Sequence, residues 1–164
     1  MNARIPYDER AMKRVQPLLA LQKQVDASGL DPRLLGLVEM RASQINGCAY
    51  CLDMHSKDAR AAGESEQRLY GLDAWREAPY YSARERAALA WTESLTCVEE
   101  THVPDADWDE VRKQFSAEEI LDLTLAVVLI NSWNRIAIGF RMPPGHYKAG
   151  ARFQGDARSQ AKSP

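Results

Sequence analysis

The chain has little cysteine and little histidine, three residues of each in 164. An odd and small number of cysteines excludes a secreted disulfide scaffold, and a chain of this length can bury a core without such staples. A basic excess is missing as well. Lys and Arg number 21 against 23 Asp and Glu, for a formal net charge of -2, which argues against a dedicated nucleic-acid binder. The first ten residues, Met1 to Arg10, hold no apolar stretch that would act as a signal peptide. The most apolar run, Leu121 to Phe140, carries Asp122, Asn131, Asn134 and Arg135 and is too polar for a membrane span. Alternating runs of Val, Ile and Thr are absent, so the strand signal is absent. At 45% hydrophobic and 27% charged residues, the composition is that of a globular chain. The expectation is a soluble, cytoplasmic, all-α single-domain helical bundle, with no membrane and no nucleic-acid partner.

What is present reads as helix after helix. Pro17 suits a first turn, Leu18, Leu21 and Val25 share a face, and Ser28-Gly29 ends the element. Asp31-Pro32 starts a second helix, which ends at Asn46-Gly47. A third is expected from about Cys48 to Ala62 and a fourth from Ser65 to Arg76. Ser82 with Glu85, and Ser116 with Glu119, are capping-box pairs that open two more. Pro104-Asp105 restarts the chain between them for a short helix to Phe115. The last helix, through Phe140, is apolar nearly all round, which suits a central element or an oligomer contact. The domain is expected over residues 1–147, and the basic, apolar-poor segment 148–164 is expected to be a flexible tail.

The segment that carries chemistry is Ser43-Gln-Ile-Asn-Gly-Cys48-Ala-Tyr-Cys51-Leu-Asp-Met-His55. At about 100° per residue, positions 48, 51 and 55 fall within roughly 60° of one another on a helix. Asn46-Gly47 places Cys48 at or near a helix start, where unpaired N–H groups and the dipole favour a thiolate. His55, one turn beyond Cys51, is within reach to accept a proton. This is the arrangement of a redox cysteine pair, in which one thiolate attacks and the other closes a disulfide. Zinc is the rival reading, with Cys48, Cys51 and His55 as three ligands and an open fourth position. Cys97 reads as a buried small residue, and His102 and His146 as lone polar ones. Trp91, Trp133 and Leu95 read as core, while Asn131, Asn134 and Arg135 need partners if buried.

The stretch Arg41 to His55 resembles the core motif of the alkylhydroperoxidase D-like proteins, within the carboxymuconolactone decarboxylase family. Tyr70 to Pro79, Ser82 to Glu93 and Asn131 to Ile138 resemble segments of the same family, so the likeness covers roughly residues 12 to 145. It implies an all-α fold, a homotrimer or homohexamer, and thiol peroxidase chemistry with no metal, haem or other cofactor. It implies Cys51 as the peroxidatic cysteine and Cys48 as the resolving one. The implied partners are a hydroperoxide substrate and a dithiol reductant, a thioredoxin-like or lipoyl protein. The family's relay glutamate falls twelve residues before the first Cys, where this chain has Gly36. Glu39, one turn on, is the candidate in its place: folding back about Gly47 brings it level with His55. A solvated Glu39 is the alternative. So is a non-catalytic thiol switch or interaction protein on the same scaffold.

Overall fold

The computed structural model describes residues 3–5 and 8–150. Among the described residues there are nine α-helices and no strand. They are α1 (Glu9–Arg14), α2 (Gln16–Asp26), α3 (Pro32–Asn46), α4 (Ala49–Ala61), α5 (Glu66–Tyr70), α6 (Ala83–Thr96), α7 (Val98–Thr101), α8 (Asp105–Gln114) and α9 (Ala117–Phe140). The boundaries follow from caps. Asp31 accepts the Arg33 amide at 2.8 Å to start α3, and Pro32 needs no donor there. Gly47 ends α3 at φ 67, a left-handed conformation that costs a side-chain-bearing residue about 1 kcal/mol or more. Ser82 with Glu85 and Ser116 with Glu119 both form complete capping boxes.

Helices α3, α6 and α9 form the centre. Leu34, Leu35, Val38, Ala88, Trp91, Leu123 and Val127 pack in one apolar cluster. By length and composition α9 is the one described helix that is apolar enough to cross a membrane; here its Leu123, Val127, Leu129 and Ile130 are buried in the bundle. The expected fourth helix is split. Helix α5 gives way to a 3₁₀ turn over Gly71–Ala74. Leu69, Leu72 and Trp75 are all buried, and their spacing of three matches the three-residue turn of a 3₁₀ helix. Helices α1 and α7, six and four residues long, are too short to show an apolar period.

Beyond α9 the chain doubles back along α4. The Gly145 amide donates to Asp53 at 3.0 Å, Tyr147 Oη to Asp58 at 2.7 Å, and the Gly150 amide to Asp58 at 3.0 Å. Gly150 is thus tied to the domain, and the rest of the expected tail, 151–164, lies outside the described residues. At the other end the Arg4 amide donates to the Phe140 carbonyl at 2.9 Å.

Candidate active site

Helices α3 and α4 fold back on each other about Gly47, and the redox motif sits inside this hairpin. Cys48 is the N-cap of α4: its Sγ accepts the Cys51 amide at 3.4 Å. The orphan N–H of a helix start is thereby aimed at sulfur. Cys51 and His55 lie on the inner face of α4 and are 1% and 3% exposed. Glu39, on α3, is buried as well, and its Oε2 lies 3.1 Å from His55 Nδ1. Of the two placements open for Glu39 in the sequence, the fold takes the one facing the imidazole. Gly36, one turn earlier, has nothing within 4 Å of where a side chain would start.

His55 Nε2 is the one buried side-chain nitrogen or oxygen among the described residues without a hydrogen-bond partner. Such an orphan costs about 1–3 kcal/mol, and natural folds rarely keep one without a use for it. Nε2 belongs to a residue that lines a cavity of about 200 Å³ together with Cys51, Tyr50, Met54, Leu19 and Trp133. Met12, Gln22, Ala137 and Met142 complete its wall. Trp133 therefore serves both the core, against which it packs, and this cavity. On the other side of the pair, Cys48 lines a second, more open groove of about 590 Å³ with Gly47, Ile138, Arg141 and Pro143. The two sulfurs thus serve different spaces.

The thiols hold their protons unequally. Cys48 is pulled down to about 7, chiefly because Cys51 donates its S–H, with further help from the Cys51 amide, Asn134 and His55 against the cost of burial. Cys51 is pushed up, because it gives that hydrogen bond and is buried beside a negative sulfur. Of the two thiols, Cys48 is the readier to give up its proton and Cys51 the one that keeps it. Cys97 lies apart, half-buried, with its thiol pushed up by burial and by Glu100, Glu99 and Glu93.

Sequence reasoning missed the role of Asn134. It is 0% exposed, its Nδ2 donates to Ser43 Oγ at 3.0 Å, and its Oδ1 accepts Asn46 Nδ2 at 2.9 Å. Asn46 Nδ2 also reaches Asn131 Oδ1 at 3.0 Å, which accepts Arg135 as well. This ladder pins α9 to the α3–α4 turn and sets Asn134 against both sulfurs. The signal was three polar residues in an apolar helix; the α3 partners of Asn131 and Asn134 lie more than eighty positions away in the chain. His102 and His146 take no part in the site. Among the described residues no three His, Cys, Asp or Glu side chains converge as metal ligands.

A family model, the carboxymuconolactone decarboxylase family, matches residues 11–94. The uncharacterized protein YdfG of Bacillus subtilis is 41% identical over 138 residues, 84% of this chain and 94% of YdfG. The crystal structure of an Agrobacterium tumefaciens protein of unknown function, assigned provisionally to antioxidant defence as an AhpD, matches with a TM-score of 0.85. Its identity is 42%, over 89% of this chain and 100% of that one. An uncharacterized peroxidase-related protein from a Silicibacter species shares the fold, with a TM-score of 0.74 and 24% identity over 86% of this chain and 75% of its own. With the motif on the α3–α4 hairpin and the likeness running through the chain, this protein belongs to the carboxymuconolactone decarboxylase family, as an alkylhydroperoxidase D-like member.

Proposed function

We propose that the protein is a cysteine-based peroxidase acting on hydroperoxides that carry an apolar organic group. The observation that supports this most strongly is His55, whose Nε2 is buried and unpartnered and which lines the same apolar-walled cavity as Cys51. The provisional antioxidant assignment of the Agrobacterium relative agrees with it. Glu39 accepts from Nδ1 and so leaves Nε2 as the proton acceptor. A hydroperoxide in the cavity meets Cys51. As Sγ attacks the terminal oxygen, Nε2 takes the thiol proton and the O–O bond breaks. The departing alkoxide takes a proton back from the imidazolium and leaves as the alcohol, with Cys51 as a sulfenic acid. Cys48, as its thiolate, then attacks that sulfur and closes the disulfide; hydroxide departs and is protonated to water. A dithiol reductant, thioredoxin-like or lipoyl-bearing, reopens the bond by exchange at Cys48 from the groove side.

Peroxide consumption with dithiothreitol tests the reading. Wild type turns over and Cys51→Ser does not; a wild type inert toward alkyl hydroperoxides overturns it. The lower pKa of Cys48 favours a second assignment, with Cys48 as the attacking sulfur. Trapping the sulfenic acid with dimedone separates the two. We expect the adduct on Cys51 in Cys48→Ser, and a fast adduct found only on Cys48 in Cys51→Ser reverses the roles.

The assembly in this proposal is a homotrimer or homohexamer. Leu121, Val128 and Ile138 of α9 are 61%, 48% and 46% exposed, and an exposed apolar stripe of this kind suits contact between copies. Sedimentation at micromolar concentration decides it, a single species near 18.5 kDa counting against it.

A further inference from the structure

We propose that the Tyr50 hydroxyl is a catalytic hydrogen-bond donor to the departing oxygen of the hydroperoxide. This rests on the peroxidase reading above. When Cys51 attacks the terminal oxygen, negative charge builds on the other oxygen of the O–O bond. In water that charge is solvated; in this cavity it meets mainly Met12, Leu19, Met54, Trp133, Ala137 and Met142. A transition state of this kind gains most from a donor already aimed at the site where charge develops.

Position in the chain singles out one such donor. Besides Cys51, the wall side chains that carry a hydrogen-bond donor are Gln22, His55, Tyr50 and Trp133. Gln22, on α2, gives one amide N–H to Asp26 at 2.9 Å, and Trp133 stands on α9, so neither is held on the helix that carries the attacking sulfur. His55 donates through Nδ1 to Glu39, and its Nε2 is occupied in taking the thiol proton as the attack begins. Tyr50 immediately precedes the attacking sulfur, is half-buried, and has no hydrogen bond from its hydroxyl among the described residues. Burial, followed by the charges of Cys51, Asp53 and Cys48, raises its pKa, so the phenol keeps its proton to donate. Tyr50 also lines the groove beside Cys48, so its ring forms part of the partition between the two spaces.

The proton balance is unchanged by this role. Hydroperoxide and Cys51 thiol become alcohol and Cys51 sulfenic acid; the transferred proton travels through His55, and Tyr50 retains its own. The hydrogen bond matters in proportion to how poor the leaving oxygen is as an anion. An alkoxide needs it, and a carboxylate does not.

Tyr50→Phe removes the hydroxyl and keeps the ring. Single-turnover oxidation of Cys51 is measured in both proteins with cumene hydroperoxide, which expels an alkoxide, and with peracetic acid, which expels acetate. We expect the variant to slow on the order of 10²-fold with cumene hydroperoxide and to match wild type with peracetic acid. Iodoacetamide alkylation of Cys48 should be unchanged, showing that the motif is intact. Equal slowing with both oxidants, or no slowing with either, overturns the proposal. A wild type in which Cys51 reacts with neither oxidant overturns the peroxidase reading and this inference with it, and is seen before the variant is compared.

Discussion

In its first half, α9 turns Ile120, Leu123, Ala126 and Val127 inward, and they pack with Leu34, Val38, Ala88 and Trp91. One turn beyond Val127 the inward positions become polar: Asn131 binds Thr96 and Asn46, and Asn134 binds Ser43 and Asn46. The first half stabilises by removing carbon from water, about 25 cal/mol per Å². The second half buries amides, which is tolerable only where each finds a partner. The buried polar residues Glu39, Ser43, His55 and Asn134 gather at this end, and one atom among them, His55 Nε2, is left over. The contrast teaches where to look for chemistry. A polar cluster satisfied in every atom is a structural joint, and a cluster that leaves one orphan on a residue lining a cavity is poised to bind or react.

The comparison breaks most visibly at Leu123. It is 0% exposed at the centre of the apolar half, so Leu123→Ala should lower stability by about 2–5 kcal/mol through lost burial and a cavity. The peroxidase activity of the fraction still folded should be close to wild type, because the Asn ladder and the α3–α4 hairpin are untouched. Urea unfolding beside activity per folded molecule checks both. A large activity loss at full folding would mean that the two halves of α9 are mechanically one unit.

His55→Ala tests the other half. It removes the orphan atom and should slow Cys51 oxidation by on the order of 10²-fold. Stability should fall as well, because the imidazole is 3% exposed and its removal leaves a cavity beside the buried Glu39, so the rate is read per folded molecule. Stopped-flow peroxide oxidation and thermal unfolding supply the two numbers. A rate within twofold of wild type would make the imidazole a structural joint.

Much of this was legible in the sequence. Asp31-Pro32, the two capping boxes and Asn46-Gly47 set the starts and ends of the long helices, because caps are local and carry their own hydrogen bonds. The pairing of Cys48, Cys51 and His55 on one face followed from helical spacing, and the approach of Glu39 to His55 from counting equal distances about Gly47. What stayed hidden is long-range. The cavity walls come from α1, α2, α4, α9 and the segment after it, and no local pattern shows that Leu19, Trp133 and Met142 converge. The split into α5 and a 3₁₀ turn was masked because Leu69, Leu72 and Trp75 fit a helical period over one turn nearly as well. The distribution of protons between Cys48 and Cys51 depends on which sulfur caps α4, and only the folded geometry fixes that.

That distribution gives a pH test. A thiol at about 7 is mostly protonated at pH 6 and mostly thiolate at pH 8. The alkylation rate of Cys48 by iodoacetamide should therefore rise roughly tenfold across that interval and level off above it. Cys97, raised by burial and its glutamates, should still be climbing at pH 9. Mass spectrometry of the separate peptides reads the two profiles side by side. A Cys48 profile that follows Cys97 would remove the helix cap and the Cys51 S–H as activating elements.

The smallest effect is expected at Glu39. Glu39→Gln keeps the shape and a possible hydrogen bond to His55 Nδ1 but removes the charge. A hydrogen bond to a charged group is worth roughly 1 kcal/mol more than a neutral one, so Cys51 oxidation should slow about fivefold, well short of His55→Ala. The loss arises at the moment the imidazole takes the thiol proton, when the carboxylate stabilises the cation. The double variant settles whether Glu39 acts through His55. If it does, Glu39→Gln adds nothing further in a His55→Ala background, because the group it orients is gone. If the fivefold loss persists there, the carboxylate acts on the cysteine pair directly, and the Glu39–His55 contact at 3.1 Å is a joint of the same kind as the Asn ladder rather than part of a relay.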